Sequence, residues 1–131
     1  MTKTTAEKML IKPGATVWVW PPARLGLLGP LPDEVAVVDA IGAASVAVLF
    51  VDDAATARAA LTSHAADLAT PEYLWFCYPK GGRADINRDS LWPIVAEYGL
   101  RPITQVAIDD TWSALRFRPL KAGEAPFMGG G

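Results

Sequence analysis

Residues 45–78 read SVAVLFVDDAATARAALTSHAADLATPEYLWFCY. Two apolar runs, SVAVLFV (45–51) and EYLWFCY (72–78), flank a segment of helical period. Neither run alternates with polar residues, which is the pattern of parallel strands covered on both faces. Between them, Asp52 or Asp53 caps a helix over AATARAALTSHAADLA, with Ala57, Leu61, Ala65 and Leu68 on one side. Strand, helix and strand in succession predict a right-handed parallel crossover, the repeating unit of an α/β sheet.

The same reading extends both ways. Upstream, TVWVW (16–20) is a β-branched and aromatic strand ended by Pro21 and Pro22. ARLGLL (23–28) reads as a weak helix, and VAVV (35–38) as another strand ending at Asp39. Thr4 to Glu7 match a capping box and open a short helix that Lys12-Pro13-Gly14 stops. Downstream, SLWPIVAEYG predicts a helix with Leu91, Ile94, Val95 and Tyr98 on one side. Gly99 suits its C′ position, with Leu100 supplying a contact. Pro93 requires this helix to start near Asp89. Then PITQVAI (102–108) and WSALRFRP (112–119) are strands joined by so short a link that they must pair antiparallel. Ser113, Leu115 and Phe117 face one way, and Trp112, Ala114, Arg116 and Arg118 the other.

The expected fold is α/β, a three-layer Rossmann-like architecture with a mostly parallel sheet of about six strands. The lateral order is second, first, third, fourth, sixth, fifth, with an antiparallel C-terminal hairpin. One domain fills residues 1–121, and 122–131 is a Gly-, Ala- and Pro-rich flexible tail.

Composition limits the function classes. The chain has 131 residues, 51% hydrophobic and 20% charged, with a formal net charge of −2. That balance argues against nucleic-acid binding, which needs a clustered basic surface. No stretch reaches the length of about 20 apolar residues that spans a bilayer, and the N-terminus lacks a signal-peptide core. The expected location is the cytoplasm. The single cysteine, Cys77, lies inside an apolar run and reads as an inert buried thiol. The single histidine, His64, reads as a structural residue at the edge of the helix stripe.

The densest set of polar groups is YPKGGRADINRD (78–89). It follows a strand and precedes a helix, where ligands of open α/β sheets bind. Lys80, Gly81, Gly82, Arg83 and Arg88 suit a phosphate or carboxylate, competing with a plain solvated connection. Trp20, Asp39 and Asp52, at other strand ends, complete this candidate ligand site. Asp85, Asn87 and Asp89 have the opening spacing of a calcium loop, but Ser90 and Ala96 stand where that loop needs Gly and Glu. Asn87 or Asp89 as a helix cap explains them, and no metal is expected. Trp112, Arg116 and Arg118 share a strand face and form a candidate interface, with a second copy or another protein as partner.

Two resemblances follow from these blocks. An early strand, a second strand ending in an acid at Asp39, a late Pro79-Lys80-Gly81-Gly82 turn and a closing hairpin are similar to class I S-adenosylmethionine-dependent methyltransferases that have lost a strand and its helices. Where those enzymes carry a Gly-rich loop, this chain has WPPARLGLLG. The resemblance therefore implies the fold but no surviving methyltransferase site. KMLIKPG, LLGPLP, YPKGGRADINRDSLWPI and IDDTWSALRFRP together resemble a small family of uncharacterised bacterial proteins, frequent in actinobacteria, classed as a domain of unknown function with this fold. That family implies no activity and no cofactor. The functional expectation is a non-enzymatic protein acting through protein contacts. The alternative is a binder of a small anionic, nucleotide-like or phosphate-bearing ligand at residues 79–83 and adjacent strand ends.

Overall fold

A computed structural model describes residues 5–68, 70–80 and 88–119, the side chains of residues 66, 88–90, 92 and 119 excepted. Its six strands are β1 (Thr16–Trp20), β2 (Ala36–Val37), β3 (Val46–Phe50), β4 (Tyr73–Pro79), β5 (Leu100–Ala107) and β6 (Trp112–Pro119). They form one sheet in the order β2-β1-β3-β4-β6-β5, as the apolar runs and the short final link predict. The β2, β1, β3 and β4 pairings are parallel, and β6 reverses the direction against both β4 and β5. Every residue of β3 is buried, because helices or loops cover both its faces and strands both its sides.

One face packs against helices α2 (Ala54–His64) and α3 (Arg88–Ala96). Ala57, Ala60 and Leu61 of α2 meet Leu91, Ile94 and Val95 of α3 over Ala47, Leu49, Leu74 and Phe76. The other face is covered by α1 (Thr5–Lys8), the chain that follows it, and a 3-10 helix over Pro22–Leu28. Ala6, Met9, Ile11 and Leu28 there lie over Val17, Val48, Phe50, Trp75 and Cys77. The Trp75 indole N–H donates to the Met9 carbonyl at 3.0 Å and pins this segment to the sheet.

Several boundaries differ from expectation, each for a local reason. The N-terminal helix ends at Lys8, before Lys12-Pro13-Gly14. Ile11 N–H bonds Ala6 O and Leu10 N–H bonds Glu7 O, the paired bonds of a Schellman stop. Leu10 takes the left-handed position, at φ 66°, where glycine is the usual residue. The second strand is two exposed residues instead of four buried ones, because it is the sheet edge and no described residue covers it. The connection Pro22–Leu28 is 3-10, not α. Helix α2 gives way to 3-10 geometry at Ala65–Asp67, which leaves Ala65 exposed and puts Ala60 on the buried stripe. Asp53 is its N-cap, accepting the Thr56 N–H at 2.7 Å. Helix α3 covers Arg88–Ala96, which places Asp89 inside it, and Asn87 lies outside the described residues. Pro93 sits at the sixth helical residue on the exposed side, where the carbonyl it leaves unbonded can face water. Gly99, at φ 77°, ends this segment as expected.

Candidate functional site

In an open parallel sheet the crevice lies beyond the strand carboxyl ends, where successive crossovers diverge. Here that point is between β1 and β3, since β2 lies to one side of β1, and β3 and β4 to the other. Two connections flank it, the turn after Trp20 and the Asp52-Asp53 corner after β3, and Lys80 follows β4, the next strand along.

The turn after β1 is built from residues without N–H groups. The Trp20–Pro21 peptide is cis, and Pro22 starts the 3-10 helix at once. That helix projects Arg24 over the sheet. Its guanidinium lies 5.0 Å from the centroid of the Trp112 ring. One of its nitrogens reaches Asp52 Oδ1 at 3.4 Å. Both partners of this pair are well exposed, so it contributes little to stability. The contact nevertheless joins the ends of β1 and β3 across the switch point. Arg24 was not singled out by its sequence context, ARLGLL, which carries no recognised motif. Only the chain reversal at Pro21 brings it to this edge.

Trp112 is not an exposed interface anchor, as its place after a turn suggests. It is 5% exposed, with Phe50 edge-on at 5.2 Å and Arg24 above it. The hairpin bonds back at this point: Asp109 Oδ1 accepts the N–H groups of Thr111 and Trp112 at 2.8 and 2.7 Å. Arg116 is half-buried, its guanidinium 5.1 Å from the Tyr73 centroid and its Nε buried without a hydrogen-bond partner among the described residues. Arg118 is half-buried on the same strand. These three therefore form no continuous exposed patch.

Of the candidate ligand residues, Lys80 stands at the carboxyl end of β4. Its N–H donates to Thr111 O at 2.8 Å, which ties it to the hairpin. Beside it a hollow of about 430 Å³ is lined by Tyr78, Gln105 and Ser113. The Gln105 amide donates to Tyr78 Oη at 2.7 Å and Ser113 Oγ at 3.0 Å, which satisfies the buried Ser113. Gly81, Gly82, Arg83, Asp85 and Asn87 lie outside the described residues, as do the side chains of Arg88 and Asp89. Asp52 is exposed beside Arg24.

Asp39 ends a cleft of about 300 Å³ between β1 and β2, walled by Trp18, Pro22, Leu25, Val37 and Val38. Trp20 is half-buried against the helix-covered core and is not among the walls of this cleft. Trp18, its neighbour two residues back, lines the cleft and takes His64 edge-on at 4.8 Å. Asp53 is held below the ordinary carboxylate range by the Thr56 side-chain and backbone hydrogen bonds. Cys77 is fully buried and its thiol is pushed well up by desolvation, which fits an unreactive core residue. Among the described residues no cluster of His, Cys, Asp and Glu could hold a metal, and no helix is long and apolar enough to cross a membrane.

An open sheet with this order and a reversed final hairpin is the Rossmann-like architecture related to methyltransferases. Solved structures agree. A Streptococcus agalactiae protein of the NADB-Rossmann superfamily superposes with a TM-score of 0.58 at 10% identity, over 98% of this chain and 72% of that one. A Streptococcus pneumoniae protein described as a candidate tRNA (m1A22) methyltransferase gives 0.56 at 13% identity, over 98% and 74%. The same protein in complex with S-adenosyl-L-methionine gives 0.56, over 98% and 77%. At such identity the likeness is one of fold. No family model and no curated protein matches the chain.

Proposed function

We infer that this chain is a binding protein rather than a methyl-transferring enzyme, and that its ligand is small, anionic and nucleotide-like. The observation that carries this reading is the cleft ending at Asp39. Apolar walls from Trp18, Leu25 and Val38 suit a flat base, and a carboxylate at the strand end suits sugar hydroxyls. About 300 Å³ is at the lower end of small-molecule pockets. Methyl transfer is not part of the reading. Pro21 and Pro22 offer no N–H where a Gly-rich loop would offer several, so the turn does not fit the S-adenosylmethionine of the fold's relatives. The reading takes the chain as a cytoplasmic bacterial protein of the uncharacterised family that its sequence blocks resemble.

A thermal-shift panel tests it. A nucleotide at about 100 times its Kd adds roughly 2.7 kcal/mol, and Asp39→Ala removes that gain. A flat response to nucleotides and sugar phosphates overturns the reading. A second reading, action through protein contacts, is supported by the open edge of β5. There Ile103, Thr104 and Gln105 are successively exposed among the described residues, and such a strand edge invites pairing. Sedimentation of the wild-type chain and Ile103→Lys at rising concentration tests that reading through a second copy.

A further inference from the structure

We propose that Arg24, laid over Trp112 and held by Asp52, is a phosphate receptor whose own counter-ion must be displaced for a ligand to bind. This rests on the small-anion reading above and gives it a recognition group that the strand-end acids cannot supply. An arginine held over an aromatic face is attracted to it before any ligand arrives. The Arg24 Cζ lies 5.0 Å from the Trp112 ring centroid. Trp112 is rigid in turn, packed edge-on against Phe50 and fixed at its backbone by Asp109. The contact to Asp52 is a single long one at 3.4 Å. It leaves most of the guanidinium donors uncommitted to that carboxylate, and a phosphate can take two of them side by side. The position is the carboxyl edge of β3, where ligands of such sheets bind.

The arrangement reverses the role expected of Asp52. It is not a ligand-binding residue but a competitor, occupying the site as an internal anion. A purely structural ion pair and an anion receptor respond in opposite ways to Asp52→Asn. A structural pair is simply lost. A receptor is relieved of its competitor and gains affinity, by about fivefold, the scale of one like-charge contact near water removed.

The test uses the full chain and nuclear magnetic resonance of the Arg24 Nε–H and Trp112 indole N–H, titrated with inorganic phosphate and with AMP. Sodium acetate and chloride at matched ionic strength are the controls. Phosphate and AMP are expected to shift both signals, with tighter binding in Asp52→Asn. Arg24→Lys is expected to weaken it at least fivefold, because the planar fork is lost. Arg24→Ala is expected to abolish the phosphate response. Equal shifts with chloride mean charge screening only and overturn the proposal. So does binding that is unchanged in Asp52→Asn and Arg24→Ala. If AMP still binds Arg24→Ala but not Asp39→Ala, the nucleotide reading stands and the receptor assignment alone falls.

Discussion

Replacing Trp75 by phenylalanine isolates what holds the N-terminal segment to the sheet. Trp75 is fully buried at the centre of the face covered by α1 and the Pro22–Leu28 helix. Its indole N–H is the donor to the buried Met9 carbonyl. Phenylalanine keeps a ring in place but removes the donor and part of the volume. Leaving a buried carbonyl unpaired costs about 1–3 kcal/mol. The lost ring atoms amount to roughly two methylene equivalents, at about 0.8 kcal/mol each. The sum is about 3 kcal/mol, a large share of the roughly 5–15 kcal/mol that stabilises a domain. In urea, with a slope of about 2 kcal/mol per molar, the midpoint falls by about 1.5 M. Hydrogen exchange adds the local test. The Ile11 amide, bonded to Ala6 O, is expected to lose protection more than the amides of β3. A loss below about 1 kcal/mol, or one with unchanged exchange at Ile11, refutes the pinning role.

Two further outcomes follow from the titrating groups. The Asp53 carboxyl has a folded pKa below its usual 3.8, caused by the Thr56 hydrogen bonds. The cap's contribution is therefore fully present above that value and lost as pH falls through the lowered one. Unfolding curves of wild type and Asp53→Asn taken at pH 7 and at descending acid pH should show a carboxylate-dependent difference that is lost as the pH falls through the lowered Asp53 pKa. A difference constant across that range removes the charge from the explanation. Cys77, buried with its thiol pKa raised, should resist a thiol reagent in the native chain and react at once in denaturant. Rapid native labelling contradicts its place in the core.

The order of the sheet is legible in sequence because each central strand is a closed apolar run, and because the link before Trp112 is too short for a crossover. The burial of β3 follows from the same runs. What stays hidden depends on contacts made far along the chain. Trp112 follows a turn in sequence, and Arg24 and Phe50, more than 60 residues earlier, lie against its ring. Leu10 carries no mark of left-handed backbone, since leucine is seldom chosen for it. The brevity of β2 follows from its being last in the row, which VAVV does not encode. Within the candidate site, Lys80, Asp39 and Asp52 were readable as strand-end residues. Trp20 is the strand-end residue and is half-buried, but Trp18 lines the cleft. Arg24 was invisible because its role is set by the proline turn before it rather than by its neighbours.

The reversal of β6 against β4 has a consequence for how such a chain can diversify. A strand running backwards brings its beginning, not its end, to the ligand edge, so Trp112 and the four-residue link at Ile108–Thr111 stand beside Lys80. In that link Ile108 is buried in the core and its carbonyl accepts from Thr5 of α1, while Asp109, Asp110 and Thr111 are exposed. Insertions at the exposed tip around Asp110 would raise a new wall along this edge while Ile108 and the strand registers stayed in place. The hairpin is thus the place where this small fold can acquire a different specificity at least structural expense.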